Sequence, residues 1–123
     1  MSDSHREMPI FTRAFDFLAW LTPMTQHFPR LHRHTITRRL VEAALDLQEA
    51  LLIANNQRDG DRLAWLDRAD AHLAQVRIYL RLAHRLHWLN MGQYQHGAGM
   101  VSEIGKLLGG WRKTTQSAVQ RQN

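Results

Sequence analysis

The chain has 123 residues, a formal net charge of +5 and no cysteine. That length fits one domain around a single core. A composition 44% hydrophobic and 22% charged excludes wholesale disorder. The absent cysteines exclude disulfides, thiolate metal sites and cysteine nucleophiles, and fit a reducing compartment.

No stretch reads as a membrane span. The most apolar N-terminal segment, Phe15 to Met24, is broken by Asp16 and Pro23, and it is far shorter than the roughly 20 residues required. The preceding Ser2-Asp3-Ser4-His5-Arg6-Glu7 mixes charges, and no small-residue cleavage site follows, so the N-terminus does not read as a signal peptide. A cytoplasmic location is expected. Charge is uneven along the chain: residues 1–70 carry nine basic and ten acidic side chains, and residues 71–123 carry seven basic side chains against Glu103 alone. A field of one sign draws polyanions, because each phosphate contact releases condensed counterions. The same charge also serves solubility, and composition leaves the two readings level.

Apolar residues recur at helical spacing in four segments, and strand-like alternation never persists. The first helix is predicted from about Ile10 to His27, with Phe11, Ala14, Phe15, Leu18 and Leu21 as its apolar stripe. Pro23 should kink that helix or force a restart, since its ring removes an amide donor and crowds the preceding turn. The second helix is predicted from about Thr35 to Asn55, with Ile36, Leu40, Ala43, Leu47, Leu51 and Ala54 on one face. Asn55 to Gly60 reads as a turn by its chemistry. Asp61 is a fitting N-cap for a third helix reaching about Leu89. Its core side is marked by Leu66, Leu73, Val76, Leu80 and Ala83; Trp65, Ile78, Leu82 and Leu86 broaden it. That breadth suits either a subunit interface or a core widened by aromatic residues. The fourth helix is predicted from about Gln93 to Lys113, with Val101, Ile104, Leu108 and Trp111 inward. The fold class is therefore all-α, an up-down-up-down antiparallel four-helix bundle. It spans residues 10–113, between a flexible N-terminus (1–9) and a polar, frayed C-terminal tail (114–123).

Arg77, Arg81 and Arg85 stand four residues apart, so they line one face of the third helix. A guanidinium fork suits phosphate, donating two parallel hydrogen bonds. A solvated face with cations near the helix C-terminus, where the macrodipole favours them, explains the same row. The run Arg30 to Arg39, which includes Arg33 and His34, contains no acid and lies at a helix start. Cations there oppose the macrodipole by about 0.3–1 kcal/mol each, and a bound phosphate would reverse the sign. A helix beginning elsewhere would remove that conflict.

Eight histidines raise a metal site, with His84 and His87 one turn apart. Yet Glu103 is followed at the Glu-x-x-His spacing by Lys106, and HExxH is missing. No metal or other cofactor is expected, and His84, His87 and His96 have no assigned role. Glu42, Asp46 and Glu49 share roughly one helix side, read as a solvated face paired with Arg38 or Arg39. Without a phosphate-binding loop or nucleophile elbow, no enzyme is expected. In Glu103 to Trp111, three glycines interrupt a helical pattern at about 1 kcal/mol each. Gly105 and Gly109 share a face open to close helix packing, with Trp111 as an anchor; Gly110 could instead end the helix.

Three stretches carry a family resemblance: Leu73-Ala74-Gln75-Val76-Arg77-Ile78-Tyr79-Leu80-Arg81-Leu82, Val101-Ser102-Glu103-Ile104-Gly105-Lys106-Leu107-Leu108-Gly109-Gly110-Trp111, and Pro29-Arg30 followed by His32, Arg33 and His34. The chain thereby resembles the accessory variability determinant (Avd) proteins of diversity-generating retroelements over most of residues 18–113. The glycine-tryptophan run is shared with the wider four-helix family encoded in ribosomal RNA intervening sequences. The resemblance implies a homopentameric, positively charged barrel that binds RNA and DNA and associates with the retroelement's reverse transcriptase. That complex copies a template-repeat RNA into adenine-mutagenised cDNA, which replaces a variable region (mutagenic retrohoming). It implies that Arg77 and Arg81 bind the polymerase or nucleic acid. Arg30, Arg33 and His34 of the basic connection, Lys106, and Arg85 on spacing alone are the further candidates. The alternative is a non-catalytic oligomeric scaffold of the intervening-sequence family that binds protein or RNA outside a retroelement.

Overall fold

Where amide donors run out, and where a side chain tolerates a left-handed backbone, decides the helix bounds. The computed structural model describes residues 8–122. They form helices α1 (Pro9–Thr25), α2 (Arg38–Asn55), α3 (Asp59–Arg85) and α4 (Met91–Arg121), and no strand occurs among the described residues. A 3-10 turn (Arg30–His32) and a π-helical turn (Arg33–Thr37) lead into α2. Of the expected flexible segment 1–9, residues 1–7 lie outside the described residues, and Pro9 belongs to α1.

Met8 is extended and Pro9 takes the first helical position, where a missing N–H is harmless. Ile10, Phe11, Ala14, Phe17 and Leu21 are buried. Phe15, expected on that stripe, is 65% exposed, and Phe17 takes its place at 1%. Residues 10, 14, 17 and 21 share one 3.6-residue track, from which Phe15 stands more than a quarter-turn away. Pro23 forces no restart: α1 runs on through it and ends two residues later, at Thr25.

The inward face of α2 holds the expected Leu40, Ala43, Leu47, Leu51 and Ala54. The α2–α3 turn is tighter than expected, because α3 starts at Asp59. Its N-cap is Arg58, with no side-chain cap bond, rather than Asp61. The left-handed backbone falls on Asp59 (φ 51°), not on Gly60. All five expected core positions of α3 are buried. The helix stops at Arg85 rather than near Leu89, for a backbone reason. His87 turns left-handed (φ 64°). Its N–H then donates to the His84 carbonyl (3.0 Å), and the Trp88 N–H to the Ala83 carbonyl (2.8 Å), closing the helix with the Schellman pattern.

Asn90 then caps α4 reciprocally: its Oδ1 accepts from the Gln93 N–H (2.8 Å), and Gln93 Oε1 accepts from the Asn90 N–H (2.9 Å). The helix does not end near Lys113 but continues to Arg121, so residues 114–121 are helical rather than a frayed tail. Leu108, Trp111, Thr115 and Ala118 extend the inward stripe at helical spacing, and Thr115 is only 5% exposed. Gln122 Nε2 donates to Asp59 Oδ2 (2.9 Å) at the far end.

Neighbouring helices run antiparallel, as the residues they bring together show. Between α1 and α4, Phe11 meets Trp111, Arg13 meets Glu103 and Trp20 meets Gly97. Between α3 and α4, Asp67 meets Arg112, Arg77 meets Gly105 and His84 meets Tyr94. In each series one number climbs as the other falls. With α2 packed against both α1 and α3, the four helices form an up-down-up-down bundle. Leu47, Leu73, Leu80, Ile104 and Leu108 belong to its buried core; burying each contributes about 1.5–3 kcal/mol. Among the described residues, no helix is long and apolar enough to cross a membrane.

Candidate functional site

Folding gathers charge that is dispersed in sequence. Residues 17–41 and 71–102 contain seven arginines, seven histidines and no carboxylate. The antiparallel order brings these stretches toward one end of the bundle: the C-terminal parts of α1 and α3, and the N-terminal parts of α2 and α4. Their margin is shared with acids: Glu42 and Asp46 border His72, Gln75 and Tyr79, and Arg77 reaches Gly105, beyond Glu103. Trp88 joins the two connections at that end, its ring lying 5.3 Å from Phe28 and 5.1 Å from His32 between centroids. The run containing Arg30, Arg33 and His34 therefore shares an end with Arg81 and Arg85.

Most of these cations are uncommitted. Arg38 pairs with Glu42 at 3.5 Å; Arg30, Arg33, Arg39, Arg77, Arg81 and Arg85 form no ion pair with any described carboxylate. Elsewhere the pairs are closer, with Arg112 Nη2 at 2.6 Å from Asp67 Oδ1 and Arg13 Nε at 2.6 Å from Glu103 Oε1. Such exposed pairs contribute about 0–1 kcal/mol each. Helical turns run through Arg30–His32 and Arg33–Thr37 without a side-chain cap or an acid. The basic run therefore does sit at a helix entrance, where the macrodipole opposes it.

Arg81 and Arg85 line an open groove of about 570 Å³ with Ile78, Leu82, His84 and His87. Arg81 also lines a second groove of about 330 Å³, with Arg77, Leu80, Tyr94, Ala98, Val101 and Ser102. Between them, the His84 and Tyr94 rings stack at 4.6 Å with 8° between planes. Arg33 borders a third cavity, of about 320 Å³, with Thr25, Gln26, Phe28, Pro29 and Thr37.

The remaining expected site residues scatter. Lys106 is exposed in the middle of α4, about 22 Å along the helix from Met91. Gly105 faces α3 closely, taking the Arg77 guanidinium and Leu73 against it. Gly109 faces open space within the chain. Trp111 packs edge-on against Phe11 at 5.8 Å, and Arg62 lies over its ring. Gly97 likewise takes a close neighbour from another helix, Trp20 of α1. Sequence reasoning passed over Gly97 and the His84–Tyr94 and His32–Trp88 stacks; the one available signal was histidine interleaved with tryptophan and tyrosine between residues 84 and 96. Among the described residues no group of three His, Asp or Glu side chains is arranged to hold a metal ion.

Among solved structures, the chain is similar to a protein of unknown function from the S23 ribosomal protein family of Bacteroides thetaiotaomicron VPI-5482. The TM-score is 0.72 at 14% identity, covering 80% of this chain and 94% of that one; identity this low shows a shared fold alone. No curated protein matches the chain. The family model described as bAvd-like matches residues 8–115. With a match that reaches into all four helices, the chain belongs to the bAvd-like family.

Proposed function

We propose that the chain is the accessory subunit of a diversity-generating retroelement. In this reading it is a non-catalytic, cytoplasmic protein that assembles as a homopentamer. It holds RNA or DNA and the retroelement's reverse transcriptase while the polymerase makes a mutagenised copy of the template repeat. The observation that carries this reading is the arginine-rich end of the bundle, where Arg30, Arg33, Arg39, Arg77, Arg81 and Arg85 form no ion pair with a described carboxylate.

Helical turns fix the backbone beneath these arginines. Each side chain still loses about 0.5–1.5 kcal/mol of freedom on gripping a phosphate or acidic side chain, partly offset by the planar, pre-organised guanidinium fork. Solubility does not require cations at a helix entrance, which cost about 0.3–1 kcal/mol each unless an anion meets them. Membership of the bAvd-like family supports the polymerase as partner. The test replaces Arg77 and Arg81 together by alanine and measures co-purification with the polymerase. Loss of binding with helical content unchanged is expected; a folded double variant that still binds contradicts the proposal.

A protein-only oligomeric scaffold is the second reading, favoured by Ile78 and Leu86, which are 57% and 41% exposed beside the arginine row. Phosphate contacts make affinity fall steeply with salt. Negligible nucleic-acid binding at low salt selects the scaffold.

A further inference from the structure

We infer that the stacked His84 and Tyr94 rings are a platform for an unpaired nucleobase, so that the basic end takes single-stranded rather than duplex nucleic acid. The inference rests on the polyanion reading above and names the ligand class of that site.

The placement of the stack carries the argument. Both rings are half-buried, and they stand between two grooves that share Arg81. On the His84 side the groove adds Arg85 and the apolar side chains of Ile78 and Leu82. A flat π-face beside a guanidinium and an aliphatic floor matches what a nucleotide presents: a flat base, with a phosphate within reach of a cation. The groove volume of about 570 Å³ falls within the roughly 300–1,000 Å³ of small-molecule sites.

The platform is also rigid. His84 lies in the last turn of α3, which the Trp88-to-Ala83 bond closes, and Tyr94 lies in the first turn of α4, behind the Asn90–Gln93 capping box. The Tyr94 N–H itself donates to the Asn90 carbonyl (2.9 Å). A duplex keeps its base faces inside the stack and offers this platform nothing. It carries more charge per length, so a purely electrostatic grip would favour the duplex.

The test measures affinity for three probes of equal length: a mixed-sequence DNA single strand, the same strand with its bases removed, and its duplex. Wild-type protein is expected to bind the intact strand about tenfold or more tighter than the abasic one. His84→Ala is expected to close that gap while helical content holds. His84→Phe, which keeps a flat ring, is expected to reopen it. Equal affinity for intact and abasic strands with a steep salt dependence overturns the platform and leaves the polyanion reading standing. Equal weakening of both strands by His84→Ala, or a gap that survives it, also overturns the platform. Absence of binding to all three probes overturns both readings.

Discussion

The Arg77 guanidinium on α3 lies across Gly105 on α4, in the space where a β-carbon at that glycine would stand. The group in the way is the far end of a flexible side chain, and Leu73 Cδ2 at 3.5 Å is an ordinary contact. Alanine also gains about 1 kcal/mol of helix propensity over glycine. Gly105→Ala is therefore expected to match or exceed wild-type stability in urea denaturation while evicting Arg77 and weakening polymerase binding. A loss above about 1 kcal/mol speaks against this geometry.

Gly97 presents the opposite case. A β-carbon there would stand 2.7 Å from Trp20 Cη2 and 2.8 Å from Cζ3. The indole sits between Phe17 and His96, at 6.0 and 5.6 Å between centroids, so it has little room to yield. Overpacking costs about 1–3 kcal/mol, against about 1 kcal/mol of propensity gained. Gly97→Ala is expected to lower the urea midpoint with an unchanged denaturant slope.

His87 holds a left-handed backbone (φ 64°), a conformation costing roughly 1–2 kcal/mol for an L-residue with a β-carbon. His87→Gly is expected to raise stability by up to about 1 kcal/mol, and His87→Val to lower it. Thermal unfolding of the two variants gives the comparison; a more stable valine variant contradicts the assigned turn.

These cases mark how far the sequence was legible. The helical period gave the cores of α2 and α3, since Leu40 to Ala54 and Leu66 to Ala83 repeat without competitors. In α1 two phenylalanines two residues apart fit rival stripes, and only tertiary packing chose Phe17. The end of α3 was hidden because histidine fills the place usually held by glycine. The last turns of α4 were hidden because their buried anchor is a threonine, Thr115. At the candidate site, the spacing of Arg77, Arg81 and Arg85 revealed one row. That Trp88 brings the Arg30–His34 run to the same end depends on long-range packing, which no local pattern encodes.

Gly109 has nothing within 4 Å of a built β-carbon inside the chain. Alanine there should stabilise an isolated subunit by about 1 kcal/mol. In a pentamer that brings another subunit close at this open face, the same methyl group obstructs packing. Gly109→Ala is expected to give smaller particles than wild type by light scattering at equal concentration. An unchanged particle size excludes this face from the interface.

If arginines at the basic end of the bundle grip a polyanion, binding must weaken steeply as salt rises. The most direct measurement is the salt dependence of affinity for single-stranded RNA, comparing wild type with a variant carrying Arg33→Ala, Arg81→Ala and Arg85→Ala. Each lost phosphate contact reduces the log–log slope by about 0.7, so the variant's slope should be shallower by roughly two. An identical slope in the folded variant, or no wild-type binding at low salt, contradicts the account.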